Sequence, residues 1–117
     1  MADTLAEATT YRATHRYARI SPRKARLVIS LIRGCRVSEA EDILRFADKR
    51  ASGMVLKVLR SAIANANEQE ANVRKLVVSE AKIDEGPYFR RWRPKDRGRA
   101  HPILKRMSHI TVVVKER

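Results

Sequence analysis

Residues 88–93 read Tyr-Phe-Arg-Arg-Trp-Arg, so that Tyr88, Phe89 and Trp92, three of the six aromatics in the chain, interleave with Arg90, Arg91 and Arg93. This mixture suits structured RNA. Arginine makes bidentate contacts to phosphate and stacks on bases, and an aromatic face holds an unstacked base, worth about 1–3 kcal/mol per base. Lys95, Arg97 and Arg99 continue the basic character beyond it. The plainer alternative is a hairpin whose aromatics fold back on their own strands while the arginines are merely solvated. A membrane anchor with a basic halo would require an amphipathic helix alongside, and the sequence supplies none there.

A second constellation lies at Ser21-Pro22-Arg23-Lys24-Ala25-Arg26. Ser21 is a good N-cap and Pro22 fits the first helical position, so a helix starts here. Arg23, Lys24 and Arg26 then fall in its first two turns, where the helix macrodipole makes each cation unfavourable by about 0.3–1 kcal/mol. A phosphate at that end reverses the sign, because amides, dipole and side chains then all face an anion.

Enzyme chemistry finds less support. His15, His101 and His109 have no metal-ligand spacing with Cys35, and no Gly-rich phosphate loop or nucleophile elbow is present. Cys35 sits beside Arg33 and Arg36, but it has no identifiable base that would make it a nucleophile. Glu80, Asp84 and Glu85 share a strand with Lys82 and read as local charge balance. Neither a catalytic residue, a metal nor a cofactor is expected.

Charge is unevenly placed. The chain has 117 residues and a net charge of +13. Residues 12–36 hold eight cations and no acid, and residues 86–106 hold eight cations against Asp96 alone, whereas residues 37–70 are nearly neutral. Such clusters repel themselves unless a polyanion covers them. The length fits one domain with a modest core. At 44% hydrophobic residues the chain is too apolar for a disordered tail, yet it has no run of about 20 apolar residues that would span a membrane. A lone cysteine fits a reducing compartment. Residues 1–10 match neither an export nor an organelle signal.

These residues must be held by a few elements. Residues 1–13 read as a flexible leader and residues 14–117 as a single domain. Thr14–Ile20 reads as a short strand bearing Arg16 and Arg19. A helix from Pro22 to about Arg33 has its apolar stripe at Ala25, Val28, Ile29 and Ile32, with Gly34 as terminator. Ser38 and Glu41 have capping-box spacing, which predicts a second helix with Ala40, Ile43, Leu44 and Ala47 inward. A long helix follows from about Lys49 to Glu68, and Asn65, Asn67 and Asn72 mark its frayed end or a turn. From Val73 the period becomes two, and Ile110, Val112 and Val114 alternate with His109, Thr111 and Lys115, so two long antiparallel strands are expected. The alternation slips between Val78 and Ala81, as a bulge would make it do. If the flanks of residues 86–102 pair, an arm about 30 Å long results, at about 3.3 Å per residue over some nine residues.

The segment Tyr17–Val28, Tyr-Ala-Arg-Ile-Ser-Pro-Arg-Lys-Ala-Arg-Leu-Val, resembles the amino-terminal signature of the large-subunit ribosomal protein L-twenty-two family. Lys57–Ala66, Asp84–Pro87, Arg97–Ala100 and Ile103–Val114 resemble it in the same order. The resemblance implies an α+β fold, with three helices packed on a three-stranded antiparallel sheet and a long protruding β-hairpin at about residues 80–107. It implies a cytoplasmic, non-enzymatic protein that binds large-subunit rRNA and supports subunit assembly, and whose hairpin helps line the nascent-peptide exit tunnel. Its partners would be that rRNA, neighbouring ribosomal proteins and the nascent polypeptide, with no membrane and no homo-oligomer.

Carried over, the rRNA-facing residues are Arg16, Arg19, Ser21, Pro22, Arg23, Lys24, Arg26, Lys105, Arg106, Ser108 and His109. The hairpin tip and tunnel positions are Tyr88, Phe89, Arg90, Arg91, Trp92, Arg93, Lys95, Arg97 and Arg99. Phe89, Trp92 and Asp96 depart from the common bacterial pattern, which has smaller, aliphatic or uncharged residues there. The rival reading is an architectural DNA-binding protein that uses basic β-arms, with Pro94 and Pro102 as wedges in the minor groove.

Overall fold

The segments rich in β-branched residues form the two longest strands, β2 (Leu76–Pro94) and β3 (Ala100–Glu116), in a computed structural model that describes residues 9–94, 98 and 100–117. A shorter strand, β1 (Thr10–Ala18), completes an antiparallel sheet of order β1-β3-β2. Strand β1 starts earlier than its composition indicates. Thr10 to Ala13 pair with Lys115 to Val112, so these four residues belong to the sheet and not to a leader. Residues 1–8 lie outside the described residues.

Three helices cover one face of the sheet: α1 (Pro22–Ile29), α2 (Val37–Phe46) and α3 (Arg50–Glu68). Ala25, Val28, Ile29 and Ile32 are all buried as the spacing predicts, and they join Val55, Leu59, Ala62 and Ala66 of α3 against Ile110, Val112 and Val114 of β3. Strand β3 lies in the middle, so its outer face is also closed. Thr111 and Val113 are buried on that face, where they pair with Thr14 and Lys82, and with Arg12 and Glu80, on the flanking strands.

Two boundaries differ from expectation. Helix α1 ends at Ile29 and leaves through a turn to Gly34, whose φ of +78° is a left-handed conformation that glycine adopts without Cβ strain. Helix α2 has Arg36 as N-cap with no side-chain cap, so Ser38 lies inside the first turn and the capping box is not formed. Tertiary pairing fixes this start: Arg36 bridges to Val77, Gly34 N donates to Val78 O at 3.0 Å, and Val78 N donates to Cys35 O at 2.9 Å. Asn65, in turn, marks no frayed end; it lies within α3 and its Nδ2 donates to Arg12 O at 2.8 Å, tying the helix to β1.

The same edge of β2 recruits two basic side chains. Arg33 Nε donates to Ala81 O at 2.7 Å and Arg26 Nη2 to Ile83 O at 3.1 Å, satisfying carbonyls that an edge strand otherwise leaves open. Part of the amino-terminal basic cluster thus seals a sheet edge.

The expected slip in β2 is a bulge in which Ser79 is the extra residue, its hydroxyl donating to Val113 O at 3.2 Å. Two more irregularities flank His109. On β2, Gly86 and Pro87 oppose Met107; on β1, Arg16 and Tyr17 oppose His109. Tyr17 takes φ 59°, unusual for a residue with a Cβ, and is held by its N–H donating to His109 Nδ1 at 3.1 Å and by edge-to-face ring contact at 5.1 Å. A Cβ on Gly86 would meet the His109 ring and Met107 O at 3.3 Å, so glycine allows the strands their close approach.

Beyond this level only β2 and β3 continue, paired from Tyr88–Arg106 to Pro94–Ala100 as a two-stranded arm. The radius of gyration is 17.7 Å, against roughly 13 Å for a compact chain of this length, and the long axis is 68 Å. An arm with no covering layer opens easily. We therefore expect amide hydrogens at Tyr88–Arg93 and Ile103–Lys105 to exchange far faster in the free protein than those at Ile110–Val114; equal protection in the two groups would show that the arm is held by something other than its own ladder.

Candidate nucleic-acid interface

Two helix amino termini open onto one groove. At α1, Ser21 is the N-cap and accepts from Lys24 N at 3.4 Å, a long bond that leaves the helix end weakly capped. At α3, Lys49 is the N-cap and provides no side-chain cap. Neither first turn contains an acid. Arg19, Ser21 and Lys24 line the groove on one side, Lys49, Arg50 and Ala51 on a second, and Phe89, Arg91, Lys105 and Arg106 at the root of the arm on the third. Ile20, Leu27, Leu104 and Met107 complete a lining of about 1060 Å³.

That lining holds seven cations and no acid. Two positive helix ends and seven like charges around one concavity repel each other in the free protein, and an anion in the groove relieves both effects. Helix dipoles contribute only within their first turns, so the side chains supply most of the field.

The arm has two faces. Residues directly opposite in an antiparallel pair share a face, which puts Phe89 and Arg91 with Lys105 and Ile103, and Tyr88, Arg90 and Trp92 with Arg106, Leu104 and Pro102. Each face therefore mixes aromatic and basic groups. The Arg91 guanidinium carbon lies 5.2 Å from the Phe89 ring centroid, a cation–π contact. Tyr88 and Trp92 are 49% and 65% exposed, so the aromatics do not fold back into a core of their own.

The residues singled out from sequence divide into groups. Arg19, Ser21, Lys24, Phe89, Arg91, Lys105 and Arg106 come together at the groove. Arg16 and Arg23 are exposed but do not line it, and Tyr88, Arg90, Trp92 and Arg93 lie along the arm. His109 is half-buried and engaged by Tyr17. Arg26 reaches inward to β2. Two expectations are corrected. Ser108 is fully buried and its hydroxyl donates to Ile20 O at 2.6 Å, so it ties the turn between β1 and α1 to β3 and offers no surface to RNA. Pro22 is buried at the first position of α1. Lys95, Arg97 and Arg99 lie outside the described residues.

Sequence reasoning missed Lys49, Arg50 and Ala51, because the charge of residues 37–70 nearly cancels. A signal was present: Lys49-Arg50 opens a helix whose first turn has no acid, repeating the pattern of Arg23-Lys24. Among the described residues, no group of His, Cys, Asp and Glu is arranged to hold a metal ion.

The model of the family described as ribosomal protein L22p/L17e matches residues 13–115. The chain belongs to that family. Similar relatives include large ribosomal subunit protein uL22 of Thermoanaerobacter sp. strain X514 and of Thermoanaerobacter pseudethanolicus, each 59% identical over 107 residues, which is 91% of this chain and 96% of the relative. The uL22 protein of Clostridium novyi is 51% identical over the same shares. The match to the L22p/L17e family covers the whole groove and both strands of the arm, so the basic concavity and the projecting hairpin are parts of the shared region and not additions to it.

Proposed function

We propose that this chain is a structural protein of the large ribosomal subunit that binds rRNA through the groove and the arm. Its work is done on the ribosome in the cytoplasm, among neighbouring ribosomal proteins, and involves no turnover. The observation that carries this reading is the single-sign groove, seven cations with no acid, placed between two helix amino termini and the root of a basic, aromatic arm. The body docks by neutralising phosphates, and the arm inserts between RNA segments, where arginine and aromatic side chains meet both backbone and unstacked bases. By linking segments that are distant in the RNA, it supports subunit assembly. The far end of the arm contributes wall surface to the nascent-peptide exit tunnel, a role that its reach beyond the body and its family membership support.

Competition binding tests this. Labelled large-subunit rRNA is challenged with duplex DNA and with unrelated structured RNA, near physiological salt and at several-fold higher salt. All complexes weaken with salt, since counterions are released. The expected result is that rRNA keeps a large advantage at both salts. Equal displacement by duplex DNA would instead favour an architectural DNA-binding protein with β-arms.

A further inference from the structure

The groove contains more apolar surface than phosphate binding uses. Leu27 is 62% exposed, Phe89 45% and Leu104 40%, and all three line it together with the cations. Paired RNA presents phosphates and hydroxyls while its bases stay stacked inside, so a duplex leaves such a wall facing water. A purely apolar partner has the opposite defect, because it leaves seven cations uncompensated. A ligand that satisfies both features is flat and apolar in the middle and anionic on either side.

We propose that this groove takes a single unpaired nucleotide of an RNA strand, its base against Phe89 and Leu27 and its flanking phosphates on Lys24, Lys105 and Arg106. The inference rests on the RNA-binding reading above and makes it specific. Arg91 stands over the Phe89 ring and extends the stacking platform with a guanidinium plane. The volume of about 1060 Å³ lies at the top of the range of roughly 300–1,000 Å³ that encloses drug-sized ligands, so a base, its sugar and both phosphates fit without rearrangement of the body. Charge on three sides, from α1, α3 and the arm, attracts the phosphates of such a strand.

The test uses the full chain and three RNA stems of one sequence: fully paired, carrying one bulged 4-thiouridine, and carrying an abasic bulge. The expected result is that the 4-thiouridine stem binds about tenfold tighter than the abasic one, the lower part of what stacking of one base supplies. Its photo-crosslinks should fall on Phe89 or Leu27. In the variant F89A, which removes an exposed arm side chain and no core residue, the advantage should disappear. Phe46→Ala, exposed on α2 and outside the groove, should retain it. Equal affinity for the three stems, with crosslinks elsewhere, would overturn the nucleotide site while leaving RNA binding by phosphate contact intact. Failure of the folded chain to bind any stem or large-subunit rRNA would overturn both. Tighter binding of an acidic, leucine-rich peptide than of the bulged stem would assign the groove to a protein instead.

Discussion

Substituting Lys24, Lys105 and Arg106 together by glutamine is expected to weaken binding to large-subunit rRNA by about 50- to 150-fold at about 0.15 M salt. Each lost phosphate contact removes about 0.7–0.9 from the slope of log affinity against log salt, so the triple variant should show a slope shallower by about 2–3. The three residues come from different elements, α1 and the returning strand, but line one groove. None of them joins either of the ion pairs found among the described residues, which are Arg60 with Glu41 and Lys82 with Glu80. Their loss therefore relieves repulsion and removes no ion pair found among the described residues. Thermal unfolding of the variant should occur at or above the midpoint of the parent. A titration across salt concentrations checks both parts, and unchanged affinity and slope would show that the groove does not meet phosphate. Arg26 and Arg33 provide the contrast: both are basic, but they bond to carbonyls of β2, so replacing them should cost stability before it costs affinity.

Ile110→Ala is expected to destabilise the free protein by about 2–5 kcal/mol. Ile110 is fully buried on the central strand, opposite His15 on one side and Ile83 on the other, and it packs under the helices. Removing its side chain opens a cavity where the sheet cannot collapse inward without disturbing both neighbours. A domain of this size is stable by only about 5–15 kcal/mol, so the change consumes a large fraction of the total. Urea unfolding at constant slope measures it. A loss below about 1 kcal/mol would mean that the core around β3 repacks freely. Binding to rRNA adds stability by mass action and should partly mask the defect in the complex.

Much of this was legible in the residues. Helix α1 could be placed because Ser21-Pro22 and the spacing of Ala25, Val28, Ile29 and Ile32 are local signals. The bulge at Ser79 was visible as a slip in alternation. What failed depends on contacts distant in sequence. The Ser38–Glu41 pair is a sound capping box by composition, yet the bridge from Arg36 to Val77 starts the helix earlier. Thr10–Ala13 have the look of a leader until Val112–Lys115 is there to pair with them. Ser108 and Arg26 carry polar chemistry suited to RNA, but Ile20 O and Ile83 O claim it. The basic groove was half legible for the same reason: Arg19, Lys24 and the arm stand out in charged segments, whereas Lys49 and Arg50 are hidden in a segment whose charge cancels and are brought in only by the packing of α3.

Strand β3 occupies the middle of the sheet and follows both of its partners in sequence, and this ordering governs how the sheet is made. Strands β1 and β2 each pair with β3 and are not ladder partners of one another. Nothing in the sheet can close until residues 100–116 have been synthesised, so the helices wait beside two unpaired strands while the rest of the chain is added. Loop closure between Thr10 and Lys115 spans nearly the whole sequence, and a pairing of that range costs closure entropy before it is rewarded. A chain stopped a few residues short loses pairing for β1 and β2 at once. During that interval the newborn polypeptide is strongly basic and its strands are unpaired, the condition in which transiently exposed strand edges favour aggregation.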